Sequence, residues 1–170
     1  VIEHKEIFNR IPHYSGKVNL LRLEILAKYG GVYSDADSEC LRPLDDLPVV
    51  GRSWGWPSRN GFIQNATLAC EPGDATFTAM VDGIPDYYEF LLGKSRMLFT
   101  YVFGSHYITP LLRSDAEFQE FDKDCGIGNY RYGSRVVICE RAEQTPETFI
   151  VHDCDRSWRR ELKGNTVVLQ

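Results

Sequence analysis

The sequence is short of basic side chains, of paired cysteines and of long apolar runs, and each shortage removes a class of function. Nineteen Lys and Arg against twenty-four Asp and Glu leave a net charge of −5. That is the wrong sign for a protein that grips nucleic acid through its phosphates. No stretch comes near the roughly 20 uninterrupted apolar residues needed to span a bilayer, so no transmembrane segment is expected. The five cysteines, Cys40, Cys70, Cys125, Cys139 and Cys154, contain no C-x-x-C pair, which makes a structural zinc site a poor reading. Their odd number and wide spacing suit reduced, mostly buried thiols and a cytoplasmic location. Two bridges with one spare thiol in a lumenal protein, or in one membrane-associated through other segments, fit the same count. The opening Val1-Ile2-Glu3-His4-Lys5-Glu6 has neither an initiator Met nor a basic leader followed by an apolar block, which reads as a processed product or a fragment.

What is present suffices for a core. With 43% hydrophobic residues in 170, and no repeat or low-complexity tract, residues 1–170 are expected to form a single domain. After a helix tail ending near Ile11-Pro12, Gly16 to Tyr29 is the clearest helix. Val18, Leu21, Ile25 and Tyr29 recur at helical spacing, and Leu20, Leu23 and Leu26 widen the apolar surface. Glu24 and Lys28 form an i,i+4 pair that marks a solvated edge. Gly30-Gly31 ends the helix, and Val32 to Asp37 reads as a short strand. Val49-Val50, Phe62 to Cys70, Arg135 to Cys139 and Thr148 to Val151 are further strands. Ala75 to Leu92 is helical with an interruption at Pro85, Tyr101 to Arg113 becomes helical after Gly104-Ser105, and Phe118 to Gly133 is loop-like. Short strands mixed with helices indicate an α/β domain.

The local chemistry concentrates at Asp35-Ala36-Asp37. In a strand, residues i and i+2 share a face, so Tyr33, Asp35 and Asp37 point one way. Two carboxylates there suit a hard cation, Mg²⁺ or Mn²⁺, although a solvated acidic turn would look the same. Asn19 and Arg22, three apart on the preceding helix, can be aimed at the same spot. A cation inside so apolar a helix needs a partner, and a structural salt bridge from Arg22 to Asp35 or Asp37 is compatible with a binding role.

The run from Asn19 through Arg22, Tyr29-Gly30-Gly31-Val32-Tyr33, Asp35 and Asp37 to Leu41-Arg42-Pro43-Leu44-Asp45 resembles the DXD-containing glycosyltransferases. That group includes initiating mannosyltransferases, capsular polysaccharide transferases and large glucosylating toxins. Asn65 to Gly73, Gly104 to Pro110, and His152 followed by Ser157-Trp158 extend the resemblance over about Gly16 to Arg159. It departs at Asn19, where the family usually has Asp, and at the start, where a strand–helix segment of the base and ribose pocket is little in view, as if the chain were truncated relative to the family.

The resemblance implies a GT-A-like α/β fold, a mixed and mainly parallel sheet flanked by helices. It implies transfer of a sugar from a nucleotide diphosphate sugar (UDP- or GDP-linked) to a hydroxyl acceptor such as a glycan, with Mn²⁺ or Mg²⁺ as cofactor and retention of configuration. Asp37 would ligate the metal, with His152 as a further ligand and Asp35 acting on ribose, sugar or, through water, the metal. Asp153 competes with His152, and a loop His bonded to backbone is the plain alternative. Arg22, Asn19 and Asn65 would face the donor, and Ser157 and Trp158 would close over it. Asn65-Ala66-Thr67 also spells a glycosylation sequon, but apolar neighbours favour a pocket position. The loop carrying Trp54, Trp56 and Arg59 could stack on an acceptor sugar or form a packing cluster. No catalytic base is singled out. A degenerate, non-catalytic nucleotide-sugar-binding module is the alternative function, and a metal-dependent phosphatase or nuclease is a more distant one.

Overall fold

The structure, a computed structural model, describes residues 2–47, 53–57, 61–92, 102–123, 130–132, 135–139, 144–146 and 148–152. Helices α1 (Lys5–Arg10) and α2 (Tyr14–Tyr29) lead into strands β1 (Gly31–Ser34), β2 (Ser38–Cys40), β3 (Trp54–Gly55) and β4 (Thr67–Cys70). Helices α3 (Ala75–Asp82), α4 (Ile84–Leu92) and α5 (Ser105–Ser114) follow. Strands β5 (Gln119–Glu120), β6 (Asp122–Lys123), β7 (Tyr130–Tyr132), β8 (Arg135–Cys139) and β9 (Ile150–His152) complete the order. Two sheets result, one ordered β1-β4-β3-β5 and one ordered β2-β9-β8-β7-β6.

The α/β class and the mixed sheet are as expected. Pairing among the described strands is nevertheless mostly antiparallel, the β3–β5 and β8–β9 pairs being parallel, so "mainly parallel" needs correction. Parallel neighbours require long crossovers. Here β6, β7 and β8 instead follow one another as antiparallel neighbours, and strands appear where Phe118 to Gly133 was read as loop.

The central helix differs from its sequence reading in which side it buries. Val18, Ile25 and Tyr29 are exposed, while Leu20, Leu23 and Leu26 are sealed in the core with Phe77 and Met80 of α3. Each such leucine contributes about 2 kcal/mol by leaving water. Asn19, Arg22 and Glu24 are buried on the same helix, so the weak amphipathic contrast of its sequence comes from polar residues that work inside the protein. Glu24 does not mark a solvated edge. Its carboxylate accepts the backbone N–H groups of Glu3 at 3.0 Å and His4 at 2.8 Å and meets His4 Nδ1 at 3.0 Å. The chain ahead of α1 is thereby pinned to α2.

Helix α2 ends at Gly30, whose N–H reaches Leu26 O at 2.8 Å and whose φ is +62°. A Cβ there would also lie 2.4 Å from Pro72 N. Glycine is thus required twice, by the backbone angle and by the space. Pro85 does not interrupt a helix. It sits in the first turn of α4, where its missing N–H is harmless, and the break falls at Gly83. Phe62 to Cys70 shortens to β4, and the residues before it are irregular. The Val49-Val50 strand lies outside the described residues. Trp54 and Trp56 are buried with Phe121, Phe149 and Ile150, Trp54 stacking on Phe121 at 5.1 Å. They are a packing cluster and not an acceptor platform; Arg59 lies outside the described residues. Cys70 is buried and Cys40 exposed.

Glu24→Ala strands two backbone donors in a partly buried place. It should cost about 1–3 kcal/mol, read as a lower urea midpoint and as faster amide exchange at Glu3 and His4. Glu24→Gln, which keeps one acceptor oxygen, should lose less.

Burial pushes the Tyr107 phenol up to about 12, helped by Tyr87 and Asp86, while its hydroxyl donates to Met80 O at 2.5 Å. Burial, then Asp74 and Glu71, likewise holds the Cys70 thiol up at about 12. An unfolded chain releases these protons at about 10.0 and 9.0, so it binds fewer protons than the native state in this window. Stability should therefore fall as pH rises from about 9 through 12. Urea midpoints taken across that range should decline less steeply for Tyr107→Phe than for the native sequence.

Candidate metal and sugar-binding site

The acidic motif is a corner and not a strand. The Ser38 N–H donates to Asp35 O at 3.0 Å, closing a β-turn over Asp35-Ala36-Asp37-Ser38, and the Asp35 N–H donates to Ala66 O at 2.7 Å. This turn carries the chain out of the first sheet at β1 and into the second at β2. The two carboxylates are therefore not brought together by strand alternation, as expected, but by the curl of the turn.

In the second sheet β2 runs antiparallel to β9, with Ser38 opposite His152. That register delivers the imidazole to the turn. His152 Nε2 lies 3.3 Å from Asp37 Oδ1, with both side chains largely shielded from water. One ligand atom each from Asp35, Asp37 and His152 falls within 4.8 Å of the others. Two carboxylates and an imidazole, partly buried and mutually close, are a donor set that could hold a divalent cation. The three expected metal ligands thus converge. Asp153, Ser157 and Trp158 lie outside the described residues.

Arg22 organises the other wall. Its side chain is 4% exposed. NH1 donates to the backbone carbonyl of Asn65, and NH2 donates to Tyr33 Oη at 3.1 Å and to Asp35 Oδ1 at 2.8 Å. It also lies over the Tyr33 ring, 4.2 Å from the centroid. The salt bridge expected as an alternative is real, and it goes to Asp35. Arg22 Nε makes no hydrogen bond among the described residues.

Tyr33 is the residue the sequence reading placed on the right face and gave no role. Its hydroxyl donates to Asp35 Oδ1 at 2.8 Å. Burial raises its pKa, opposed by Arg22 and reinforced by Asp35, so it stays a neutral donor throughout the physiological range. The signal that could have found it was its spacing: a phenol two residues before a carboxylate that must share an arginine.

Asn19 and Asn65 meet directly. Asn65 Nδ2 donates to Asn19 Oδ1 at 2.7 Å, and Asn19 Nδ2 donates to Val102 O at 2.9 Å. Asn19 is 7% exposed. The amide thus ties helix α2 to the approach to β4 and to the entry of α5. An aspartate at position 19 would set a carboxylate against the Val102 carbonyl, which the Asn19 amide instead satisfies. As for the sequon, Asn65 Nδ2 is engaged and Thr67 is fully buried.

Residues 2–54 match a family model described as the glycosyltransferase sugar-binding region containing DXD motif. The resemblance read from Asn19 to Asp37 is borne out at that level; Asn65 and His152 fall beyond the match. A protein of Legionella pneumophila subsp. pneumophila, "Subversion of eukaryotic traffic protein A", is 28% identical over 104 residues, 59% of this chain and 16% of that protein. This chain therefore spans about a sixth of that relative's length. Among solved structures, "PaToxG Glycosyltransferase" superposes with a TM-score of 0.54 at 17% identity, over 66% of this chain and 40% of that one. The likeness establishes the fold, that of a GT-A-type glycosyltransferase. No helix among the described residues is long and apolar enough to cross a membrane.

Arg22→Met should cost about 2–3 kcal/mol, since it removes charge-assisted bonds and leaves the Asn65 carbonyl unmet. Tyr33→Phe should cost about 1 kcal/mol. Urea unfolding of the two variants and the double variant would check this, and the pair should be non-additive because both side chains hold Asp35.

Proposed function

We propose that this chain is a metal-dependent glycosyltransferase domain that takes a sugar from a nucleotide diphosphate donor, UDP- or GDP-linked, to a hydroxyl acceptor. The observation that carries the reading is the convergence of Asp35, Asp37 and His152 from two sheets onto one small volume, beside a wall built by Arg22, Asn19 and Asn65. The family match over the acidic motif and the fold likeness to a glycosyltransferase support it.

A chain of net charge −5 with two carboxylates at its site would repel a diphosphate unless a cation intervenes. Asp37 and His152 would hold that ion, with Asp35 reaching it directly or through water. When bound, a divalent ion offsets the charge that develops on the departing nucleotide.

The protein's own part is orientation. Arg22 fixes one oxygen of Asp35, leaving the remaining acceptor capacity of that carboxylate for ribose or sugar hydroxyls. Asn65, held through its Nδ2 by Asn19, turns its Oδ1 to the donor sugar as an acceptor. Ser157 and Trp158 keep the closing role the resemblance implies. Retention of configuration is part of the same reading, and neither the acceptor nor a side-chain base is assigned.

The test is calorimetric binding of a panel of UDP- and GDP-sugars to the full chain with Mn²⁺ or with EDTA, alongside donor hydrolysis. Binding should require the ion, and Asp37→Ala should weaken it by at least about tenfold. Metal-independent binding with no hydrolysis would favour the non-catalytic module. No binding of any donor under either condition would overturn the proposal.

A further inference from the structure

Three protein ligands leave a hard divalent ion with vacant positions, and such ions keep water in them. Those waters need hydrogen-bond partners of their own, and one side chain beside the cluster has unspent capacity. Ser38 Oγ is buried and makes no hydrogen bond among the described residues. A hydroxyl removed from water is nearly always satisfied by something.

Its position is set three ways. Ser38 follows Asp37 in the chain. Its backbone N–H closes the turn onto Asp35 O at 3.0 Å. In the β2–β9 ladder it stands directly opposite His152, and residues opposite one another in an antiparallel pair share a face, with Cβ atoms about 4.5–5.5 Å apart. The imidazole of that partner extends to Asp37 Oδ1 at 3.3 Å. Chain order and register therefore set Ser38 next to two members of the cluster, Asp37 in sequence and His152 across the ladder.

We propose that Ser38 is a fourth protein group at the cation site, its Oγ accepting a hydrogen bond from a water bound to the ion. This rests on the reading of Asp35, Asp37 and His152 as a divalent-cation site. The chemistry fits: a coordinated water is a stronger donor than a bulk one, and a serine hydroxyl accepts through a lone pair while keeping its own proton for a carboxylate oxygen. Ser38 is a positioning residue for the ion and its waters. It holds one solvent ligand in place so that the remaining positions stay open.

The test uses Mn²⁺ alone, titrated into the full chain and followed by the loss of the free-ion EPR signal, with no donor and no turnover. Ser38→Ala should weaken Mn²⁺ binding about tenfold, the usual effect of removing an outer partner of a metal site. Ser38→Thr, which restores the hydroxyl, should bind within about threefold of the native chain. The thermal midpoint without metal should be unchanged or higher in Ser38→Ala, because a hydroxyl with no partner has gone; the upward shift produced by Mn²⁺ should shrink. If Ser38→Ala does not fold, Ser38→Gly removes the same group and carries the same expectations. Native-like Mn²⁺ affinity in the variant without the hydroxyl, with affinity lost in Asp37→Ala, would overturn the role of Ser38 and leave the cation site standing. A native chain that binds no Mn²⁺ would overturn both.

Discussion

A buried guanidinium is the constraint on which the site depends. Arg22 is buried on a helix that also buries Leu20, Leu23 and Leu26, and a charge placed there needs partners to offset its desolvation. Its partners come from three separate places: a backbone carbonyl ahead of β4, a phenol on β1 and a carboxylate at the turn. Satisfying one side chain therefore fixes the relative positions of helix, strand and turn. Asp35 is oriented as a by-product of that requirement, and the Tyr33 ring lies under the guanidinium, its centroid 4.2 Å from Arg22 Cζ. A lysine carries its donors on one nitrogen and lacks the fork by which Arg22 reaches Asn65 from NH1 and Tyr33 and Asp35 from NH2.

Much of this was legible in the sequence, and the reasons are local. The glycine pair after a helical run, the aspartates beyond it and the arginine one helix earlier lie within a few turns of chain, so spacing alone brings them close. Arg135–Cys139 was read correctly as a strand because a β-branched run there has a consistent local preference. The buried side of α2 was not legible, because periodicity counts apolar residues and has no means of knowing that Asn19, Arg22 and Glu24 find partners inside. Glu24 was misread for that reason: its partners are backbone N–H groups about twenty residues earlier, which no i,i+4 rule contains.

The closing of the site from the other sheet was the harder inference. His152 is more than a hundred residues from Asp37, and only the β2–β9 register decides that it faces Ser38 and not its neighbour. A slip of one residue would send it to the opposite face. The sequence could name it through a resemblance, but its placement is a property of strand pairing. Tyr33 was missed for a different cause. Its value lies in a hydroxyl shared between two charged groups, and an aromatic residue in a strand is ordinarily read as packing.

The turn joining β1 to β2 has a mechanical meaning. The turn is tied to the edge of the first sheet by the Asp35 N–H, which donates to Ala66 O, whereas the imidazole that faces Asp37 belongs wholly to the second. The space between them is a measure of how the two sheets lie against each other, and anything that draws those ligands together also clamps the sheets. Under the proposed function, an ion held there would bridge the two sheets, so that its binding and the closeness of the sheets at this joint would be linked.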